Sequence, residues 1–284
     1  MVRTQSRCAR VVLVASAATV ATAVAAIFGF LIVFALPVFS GGQGLSILGA
    51  VWHPAKGLYG IMPMLAATVG LSLSALLIGW PLALGVCCCI HGLAPRPAGR
   101  ALTLLLRGMT AFPTVVYGFA AVFLLVPAMR GVVGGSGFCI AAAALVLSLV
   151  ALPTMALVMD AGMQQAENRL RLSGAAIGFT PAQTLVHLVL PACRKNCAAA
   201  AVLGFGRAIG DTLIPLMLAG NAPQWPLALS DSVRALTAHI GLVIATDSNS
   251  ALYSSVFIAG CLLLLFNTIV QLALRAILKS GEQA

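Results

Sequence analysis

Charged residues are scarce in this sequence. Asp, Glu, Lys and Arg together make up 8% of its 284 residues, whereas 61% are hydrophobic. A soluble domain carries about 25% charged residues and at most about half apolar ones. A chain with so few charges cannot cover a water-exposed surface, which excludes a soluble fold. The composition therefore predicts an integral membrane protein built from helices.

Other absences exclude whole classes of function. No basic face is interleaved with aromatic residues, as nucleic-acid binding would require, although the net charge is +10. No glycine-rich nucleotide loop of the Walker type is present, so the chain cannot hydrolyse ATP itself. The histidines lie in or beside connectors and do not converge as an enzyme site would. We therefore predict no enzyme activity, no cofactor and no nucleic-acid partner. The basic connectors instead favour contact with anionic membrane lipid.

Cysteine is present in eight copies, but not as a disulfide framework. Five of the eight fall inside apolar runs, where they are most simply small packing residues. Cys193 and Cys197 are four residues apart, yet no His or carboxylate completes a set of ligands. We predict no metal site.

Long apolar runs dominate the rest of the chain. A membrane-spanning helix needs about 20 apolar residues. The first run is well beyond the apolar core of a signal peptide, so it is predicted as an uncleaved membrane helix. In all, we predict six transmembrane helices, at about Val11–Val38, Met62–Ile90, Leu102–Ala128, Phe138–Met159, Ala198–Leu218 and Leu252–Ile277.

Positive charge predicts the orientation. One set of connectors is rich in Lys and Arg, whereas the alternate set holds only Lys56, Arg130 and Arg234. The basic side faces the cytoplasm. We therefore predict a multi-pass protein of the bacterial cytoplasmic (inner) membrane with both termini cytoplasmic. Residues 1–50 would hold the tail, first span and an external segment, and residues 51–280 a five-helix core.

The cytoplasmic connector, residues 160–196, predicts a helix–turn–helix. Residues 163–177 have helical composition, and Gly178 suits the left-handed position that ends a helix. Residues 180–183 (Thr-Pro-Ala-Gln) have the spacing of a capping box. Pro191 is expected to break or redirect the chain before the next span. Such a connector fits either a docking device or an amphipathic helix lying on lipid.

The segment from Leu172 to Pro191 resembles the EAA loop of ABC-importer permeases. That loop reads Glu-Ala-Ala, three residues, Gly, nine residues, then Ile-x-Leu-Pro; Gly178, Leu190 and Pro191 match it. Leu172 stands where the family has Glu, which removes a charge-mediated contact there. The resemblance favours docking on an ATPase, and implies a coupling role for Leu172, Gly174, Gly178, Thr180, Pro181, Leu190 and Pro191.

Further segments resemble phosphate-importer permeases of the PstC/PstA type, closer to PstC. They occur in the family's order, and the Tyr-Gly and Leu-Thr-Ala-x-Ile segments favour phosphate over molybdate or sulfate. They are residues 59–63 (Tyr-Gly-Ile-Met-Pro), 112–118 (Phe-Pro-Thr-Val-Val-Tyr-Gly), 206–212 (Gly-Arg-Ala-Ile-Gly-Asp-Thr), 220–223 (Gly-Asn-Ala-Pro) and 236–240 (Leu-Thr-Ala-His-Ile).

This resemblance implies a type I ABC-importer permease (MetI-like) fold and ATP-driven import of inorganic phosphate. It also implies a second permease subunit, a cytoplasmic ATPase dimer that binds the ATP, and a periplasmic phosphate-binding protein. A permease for molybdate or sulfate is the alternative. A secondary transporter is less favoured, because six spans show no internal repeat.

Arg207 and Asp211 carry the clearest signal for a substrate pathway. They lie in an apolar run four residues apart, so on one helix they would share a face. A central Arg costs about 2.5–3.5 kcal/mol on membrane-insertion scales, a cost that Leu would avoid. We expect Arg207 to contact phosphate transiently while Asp211 holds it in place. A purely structural ion pair is the alternative.

Other polar residues are weaker candidates. Thr212, Thr114 and Tyr117 are expected in the pathway, although hydroxyls within a bundle are more often packing contacts. Arg107, near the start of the third span, is expected to snorkel to the headgroups. A short amphipathic helix over residues 233–240 is expected to face either the pathway mouth or the periplasmic binding protein, and a helix on the membrane surface is the alternative.

Overall fold

The structure is a computed structural model, and it describes residues 2–40, 49–53, 56, 58–244 and 251–279. Within these ranges the chain is largely helical, which confirms the all-α prediction. A short antiparallel hairpin, β1 (Trp52–His53) and β2 (Leu58–Tyr59), pairs Trp52 with Tyr59 before the second long helix. The helices in chain order are α1 (Val2–Ser40), α2 (Met62–Cys88), α3 (Arg96–Ala111), α4 (Thr114–Val133), α5 (Ile140–Ala176), α6 (Pro181–Thr184), α7 (Leu190–Ala192), α8 (Arg194–Ile209), α9 (Leu213–Leu218), α10 (Leu236–Val243) and α11 (Ala251–Lys279).

Helix α5 is the centre of the bundle, and α2 and α8 pack on it. Small residues bring these helices close together. A Cβ at Gly79 of α2 would lie 2.8 Å from Met155 Cε, and a Cβ at Gly204 of α8 would overlap the Met155 side chain. Membrane helices associate through such close packing, because lipid is as apolar as their side chains.

Several of these helices can cross a membrane. Within the described ranges, four are long and apolar enough: Arg10–Leu36, Met62–Leu93, Thr114–Val133 and Ile140–Ala176. Pro181–Ala192 and Arg194–Ile209 meet the same criterion together, but they are bent by 68°, so the total is up to five. Helix α11 has a shorter apolar stretch, Ser255–Val270. The multi-pass bundle is clear, and the number six stays a prediction.

The prediction that Leu102–Ala128 forms one continuous spanning helix is wrong. Helix α3 ends at Ala111, and α4 begins at Thr114, with Phe112 and Pro113 extended between them. The physical reason is steric, because proline disfavours helical geometry in the residue before it. Only α4 is long enough to cross, so Arg107 belongs to a separate helix, α3, and not to the start of a span.

The predicted helix within the cytoplasmic connector is not separate from the fourth span. Helix α5 runs unbroken from Ile140 to Ala176, because no capping residues end it near Met159. Its end is as predicted, with Gly178 at φ 77°. Phe179 N donates to Gly174 O (2.9 Å) and Gly178 N to Ala175 O (3.1 Å), which is a Schellman motif.

The following turn confirms the capping box and corrects the position of the break. Thr180 Oγ1 accepts from Gln183 N (3.3 Å), and Gln183 Oε1 accepts from Thr180 N (2.9 Å). Pro191 does not break the chain, because it lies within α7. It sits in the first turn of α7, directly after the π-helical turn Leu185–Val189, and proline is tolerated there because an N–H at that position has no partner within the helix. The chain redirects two residues later, at Cys193.

Helix α10 forms close to the predicted position, but it is not a surface helix. Leu236 N donates to Thr68 Oγ1 of α2 (2.8 Å), and His239 is fully buried with Nε2 2.9 Å from Ser255 Oγ. Burial, with a smaller effect of Arg234, lowers the pKa of His239 to about 4, so the ring is neutral at pH 7. Helix α10, which lies in the connector predicted to be external, therefore forms part of the bundle.

Helix α1 is peripheral. It packs mainly on α11, where a Cβ at Gly260 would lie 3.1 Å from Leu31 Cδ2, and most of its apolar side chains are exposed. The division of the chain at residue 50 stays a prediction.

The packing of α8 on α5 can be tested at Gly204. We expect Gly204→Val to destabilise the protein by about 1–3 kcal/mol, because the added atoms overlap Met155 in a close-packed contact. Gly70→Val in α2 is the matched control, since a Cβ there meets nothing within 4 Å. The measurement is the melting temperature of the purified protein in detergent. Equal melting temperatures for the two variants would contradict this packing.

Candidate functional site

The predicted fifth span is interrupted at the candidate pathway residues. Helix α8 ends at Ile209, and α9 begins at Leu213, so Arg207 and Asp211 lie on either side of a helix end. The prediction of one continuous helix over Ala198–Leu218 is wrong. The sequence did hold a signal for the break, since Gly210 followed by Asp211 and Thr212 is typical of one helix ending and another beginning.

Asp211 holds the break together. Its Oδ2 accepts from Arg207 Nη1 (3.0 Å), and its Oδ1 accepts from Ile214 N (3.0 Å). Its backbone oxygen accepts from Thr237 Oγ1 of α10 (3.0 Å). The side chain is only 3% exposed, so both carboxylate oxygens are occupied inside the protein. One residue thereby joins α8, α9 and α10.

Arg207 has quite different surroundings. Its side chain is 36% exposed. Within the part of the chain that the structure describes, its guanidinium donates one hydrogen bond, to Asp211. A guanidinium has five N–H donors in a planar fork. Arg207 is thus fixed at one edge by a buried carboxylate and open at the other, where its remaining donors can meet an external acceptor.

The other predicted pathway residues divide into two groups. Thr212 lies at the break beside Asp211, near Gly241 of α10. Thr114 and Tyr117 lie in the first turn of α4. Among the described residues, no hydrogen bond or ion pair joins either of them to Arg207 or Asp211. The Tyr117 hydroxyl instead donates to Met109 O (3.0 Å), across the bend between α3 and α4.

The seven predicted coupling residues lie on one structure, which we call the knob (residues 172–191). Leu172 is 77% exposed at its surface. Gly174 is buried, and a Cβ there would lie 2.5 Å from Thr184 Oγ1, so glycine lets α6 pack against the end of α5. Leu190 is half-buried against the core, and the remaining four residues are exposed or turn residues: Gly178, Thr180, Pro181 and Pro191.

His91, which the sequence places beside a connector without an evident role, joins the end of α2 to α5. His91 lies in the π-helical turn Cys89–Leu93 at the end of α2. Its Nε2 is 2.8 Å from Asp160 Oδ1, and its Nδ1 is 2.8 Å from Glu167 Oε2. The two carboxylates are two helical turns apart on α5, which is the only signal in the sequence. Nothing local points to His91, because the partners are 69 and 76 residues away.

The His91 bridge borders the knob. His91 and Glu167 line a cavity of about 610 Å³ together with Pro181, Thr184 and Leu185 of the knob. The cavity lies between the end of α2 and the last turns of α5. A movement of the knob would therefore act directly on the side chains that hold α2 to α5.

Comparison with known families decides what kind of protein this is. Residues 90–280 match the family described as "Binding-protein-dependent transport system inner membrane component". That range is about two thirds of the chain and includes both the knob and the Arg207–Asp211 pair. The chain belongs to this family. It is a permease subunit of an ABC importer in the inner membrane, and not itself an enzyme.

Individual relatives are similar to the permease over most of its length. "Probable ABC transporter permease protein YqgH" of Bacillus subtilis (strain 168) is 28% identical over 228 residues, covering 79% of the permease and 74% of the relative. "Phosphate transport system permease protein PstC" of Mesorhizobium japonicum is 26% identical over 270 residues, covering 84% and 81%. The protein of the same name from Pasteurella multocida is 27% identical over 246 residues, covering 77% and 74%.

Solved structures agree on the fold. The permease is similar to a chain of the MetNI methionine ABC transporter in an inward-facing conformation, with a TM-score of 0.60, 16% identity, and coverage of 75% of the permease and 92% of that chain. A chain of an amino acid ABC transporter gives a TM-score of 0.56 at 15% identity, with coverage of 76% and 91%. At these identities the likeness concerns the fold alone, and it confirms the MetI-like bundle.

The His91 bridge can be tested by removing its centre. We expect His91→Ala to destabilise the permease by about 1–3 kcal/mol, because two partly buried carboxylates lose their shared hydrogen-bond partner. His187→Ala is the matched control, since His187 is exposed, its Nδ1 lies 3.0 Å from Gln183 O of its own turn, and its ring lies beside the Phe179 ring without contacting a carboxylate of the described residues. Thermal melting in detergent measures both variants. Equal melting temperatures for the His91→Ala and His187→Ala variants would show that the bridge does not stabilise the protein.

Proposed function

We propose that the permease translocates inorganic phosphate across the inner membrane, driven by ATP hydrolysis in a separate subunit. The observation that carries this proposal is the state of Arg207, which is anchored by buried Asp211 yet, among the described residues, has no partner for most of its guanidinium donors. A planar fork of donors suits the oxygens of phosphate. The PstC relatives, named as phosphate transport permeases, support phosphate as the cargo.

The proposed assembly has four kinds of subunit. A second permease subunit pairs with this one, an ATPase dimer docks on the knob, and a periplasmic phosphate-binding protein delivers the substrate. The excess of Lys and Arg in connectors at the knob end supports cytoplasmic termini. Closure of the ATPases would push the knob and switch the pathway between outward-open and inward-open states by rigid-body motion.

The role of Leu172 follows from its exposure. It occupies the position of the family's Glu, at the surface of the knob, so an apolar contact would replace a charged one there. Gly174, Gly178, Thr180 and Pro181 are proposed to shape the knob. Leu190 and Pro191 are proposed to join it to α8, the helix that carries Arg207.

The cargo can be identified by reconstitution. We expect phosphate to stimulate ATP hydrolysis and to be taken up when the complete complex, with its binding protein, is placed in liposomes. Molybdate and sulfate, tested at the same concentration, should leave the rate of ATP hydrolysis at the basal value measured without any oxyanion. Stimulation by molybdate or sulfate, with no response to phosphate, would contradict the proposed cargo and leave the assembly intact.

Testing whether Arg207 contacts the substrate requires a variant that distinguishes this role from a purely structural ion pair with Asp211. Arg207→Ala should reduce phosphate uptake to background while the complex still assembles. Removing Arg207 also leaves a buried carboxylate unpaired, which by itself costs several kcal/mol. The double variant Arg207→Ala with Asp211→Asn removes that charge, and an Asn oxygen can still accept from Ile214 N.

The double variant decides between the two roles. A substrate-contacting Arg207 predicts that the double variant regains stability but transports no phosphate. If uptake returns to the wild-type rate, the pair is only structural. Complex assembly is measured by size-exclusion chromatography, and uptake with labelled phosphate in liposomes.

A further inference from the structure

A basic groove on α3 has no part in the proposed translocation or coupling. Arg100, Thr103 and Arg107 are spaced three and four residues apart, so they follow one another along one side of the helix. With Ile90, Gly99 and Leu104 they line an open groove of about 440 Å³. Ile90 lies in the π-helical turn that follows α2, next to His91, so the groove is at the same end of the bundle as the knob.

The positive charge of this groove is not compensated. In the ranges covered by the structure, neither the Arg100 nor the Arg107 guanidinium has a hydrogen-bond or ion-pair partner. The Thr103 hydroxyl already donates to Gly99 O (3.0 Å), which leaves the two arginines as the donors. Two exposed guanidinium forks over one groove suit a phosphate group or a similar anion.

The surface beside the groove favours a lipid over a soluble anion. Leu104 lines the groove and is 73% exposed, and further round the helix Leu105 is 59% and Phe112 60% exposed. A basic stripe next to an apolar face is typical of a helix lying in the membrane interface. A free anion gains nothing from exposed leucines, whereas acyl chains would cover them.

We propose that Arg100 and Arg107 bind the phosphate of an anionic phospholipid, with its acyl chains lying over Leu104 and Leu105. Basic pockets at the cytoplasmic side of membrane helices bind such headgroups. Leu106, only 2% exposed, belongs to the same buried cluster as Leu185 and Val189 of the knob. A lipid in the groove would therefore steady the helix against which the coupling region packs.

Lipid binding can be measured on the full-length permease. Native mass spectrometry from detergent would count bound phosphatidylglycerol against phosphatidylcholine. We expect wild type to prefer phosphatidylglycerol, and Arg100→Gln with Arg107→Gln to bind it roughly 30-fold more weakly, since each basic residue near an anionic surface contributes about 1 kcal/mol. Arg169→Gln is the control, because Arg169 is exposed at the same end of the bundle and lies outside the groove.

Further measurements separate the sources of the anion. Arg100→Lys with Arg107→Lys should keep much of the preference, because the charge remains. Unchanged binding in the double Gln variant would overturn the proposal. Displacement of phosphatidylglycerol by millimolar inorganic phosphate would assign the groove to a free anion. Cross-linking of residue 100 to an acidic segment of the ATPase in the assembled complex would assign it to a protein partner. Either result would also overturn it.

Discussion

The interrupted helix at residues 210–212 depends on one constraint, which is that every backbone polar group within an apolar bundle needs an internal partner. Ending α8 at Ile209 frees N–H and C=O groups where water is scarce. Two of them find partners at Asp211, because the Ile214 N–H donates to its carboxylate and its own C=O accepts from Thr237 Oγ1. The same carboxylate holds Arg207. The break and the candidate pathway cation are therefore maintained by a single buried side chain.

The same rule holds at the starts of α5 and α10, where residues 229–236 exchange hydrogen bonds with the bundle. Asp231 O and Leu229 O accept from Ile140 N and Ala141 N at the start of α5 (3.0 and 2.9 Å), and Thr68 accepts from Leu236 N. A segment that would otherwise be a loop outside the bundle is thus tied into it. This explains why α10 is buried and why His239 is held neutral within the protein.

Helix α8 connects the knob to Arg207, so it can transmit the movement that the proposed mechanism requires. It begins directly after the knob, at the bend of Cys193, and it ends at the break that holds Arg207. Sixteen residues of helix span about 24 Å. A displacement of the knob would therefore reach Arg207 along one rigid element. The His91 bridge ties the same end of the bundle to α2, so the proposed movement would involve several helices together.

Local patterns predicted a good part of this molecule. The apolar composition predicted a helical membrane bundle, residues 178–183 predicted their own turn and cap, and the spacing of Arg207 and Asp211 predicted their pairing. Each depends on groups that are close in the chain or on composition alone. The predicted helix boundaries were less accurate. Apolar runs continue across the breaks at Pro113 and Gly210, and hydropathy does not distinguish a continuous helix from two helices in the same apolar surroundings.

Contacts between distant segments were decided by the tertiary structure alone. His91 finds Asp160 and Glu167, Thr237 finds Asp211, and Gly174 permits the approach of Thr184, although no local signal links these residues. The number of unused donors on Arg207 is likewise a property of its packed surroundings. The amino-acid order alone determined the residue chemistry and the local turn and cap geometry. The partner of each buried polar group was set by the tertiary structure, because it depends on which helices lie side by side.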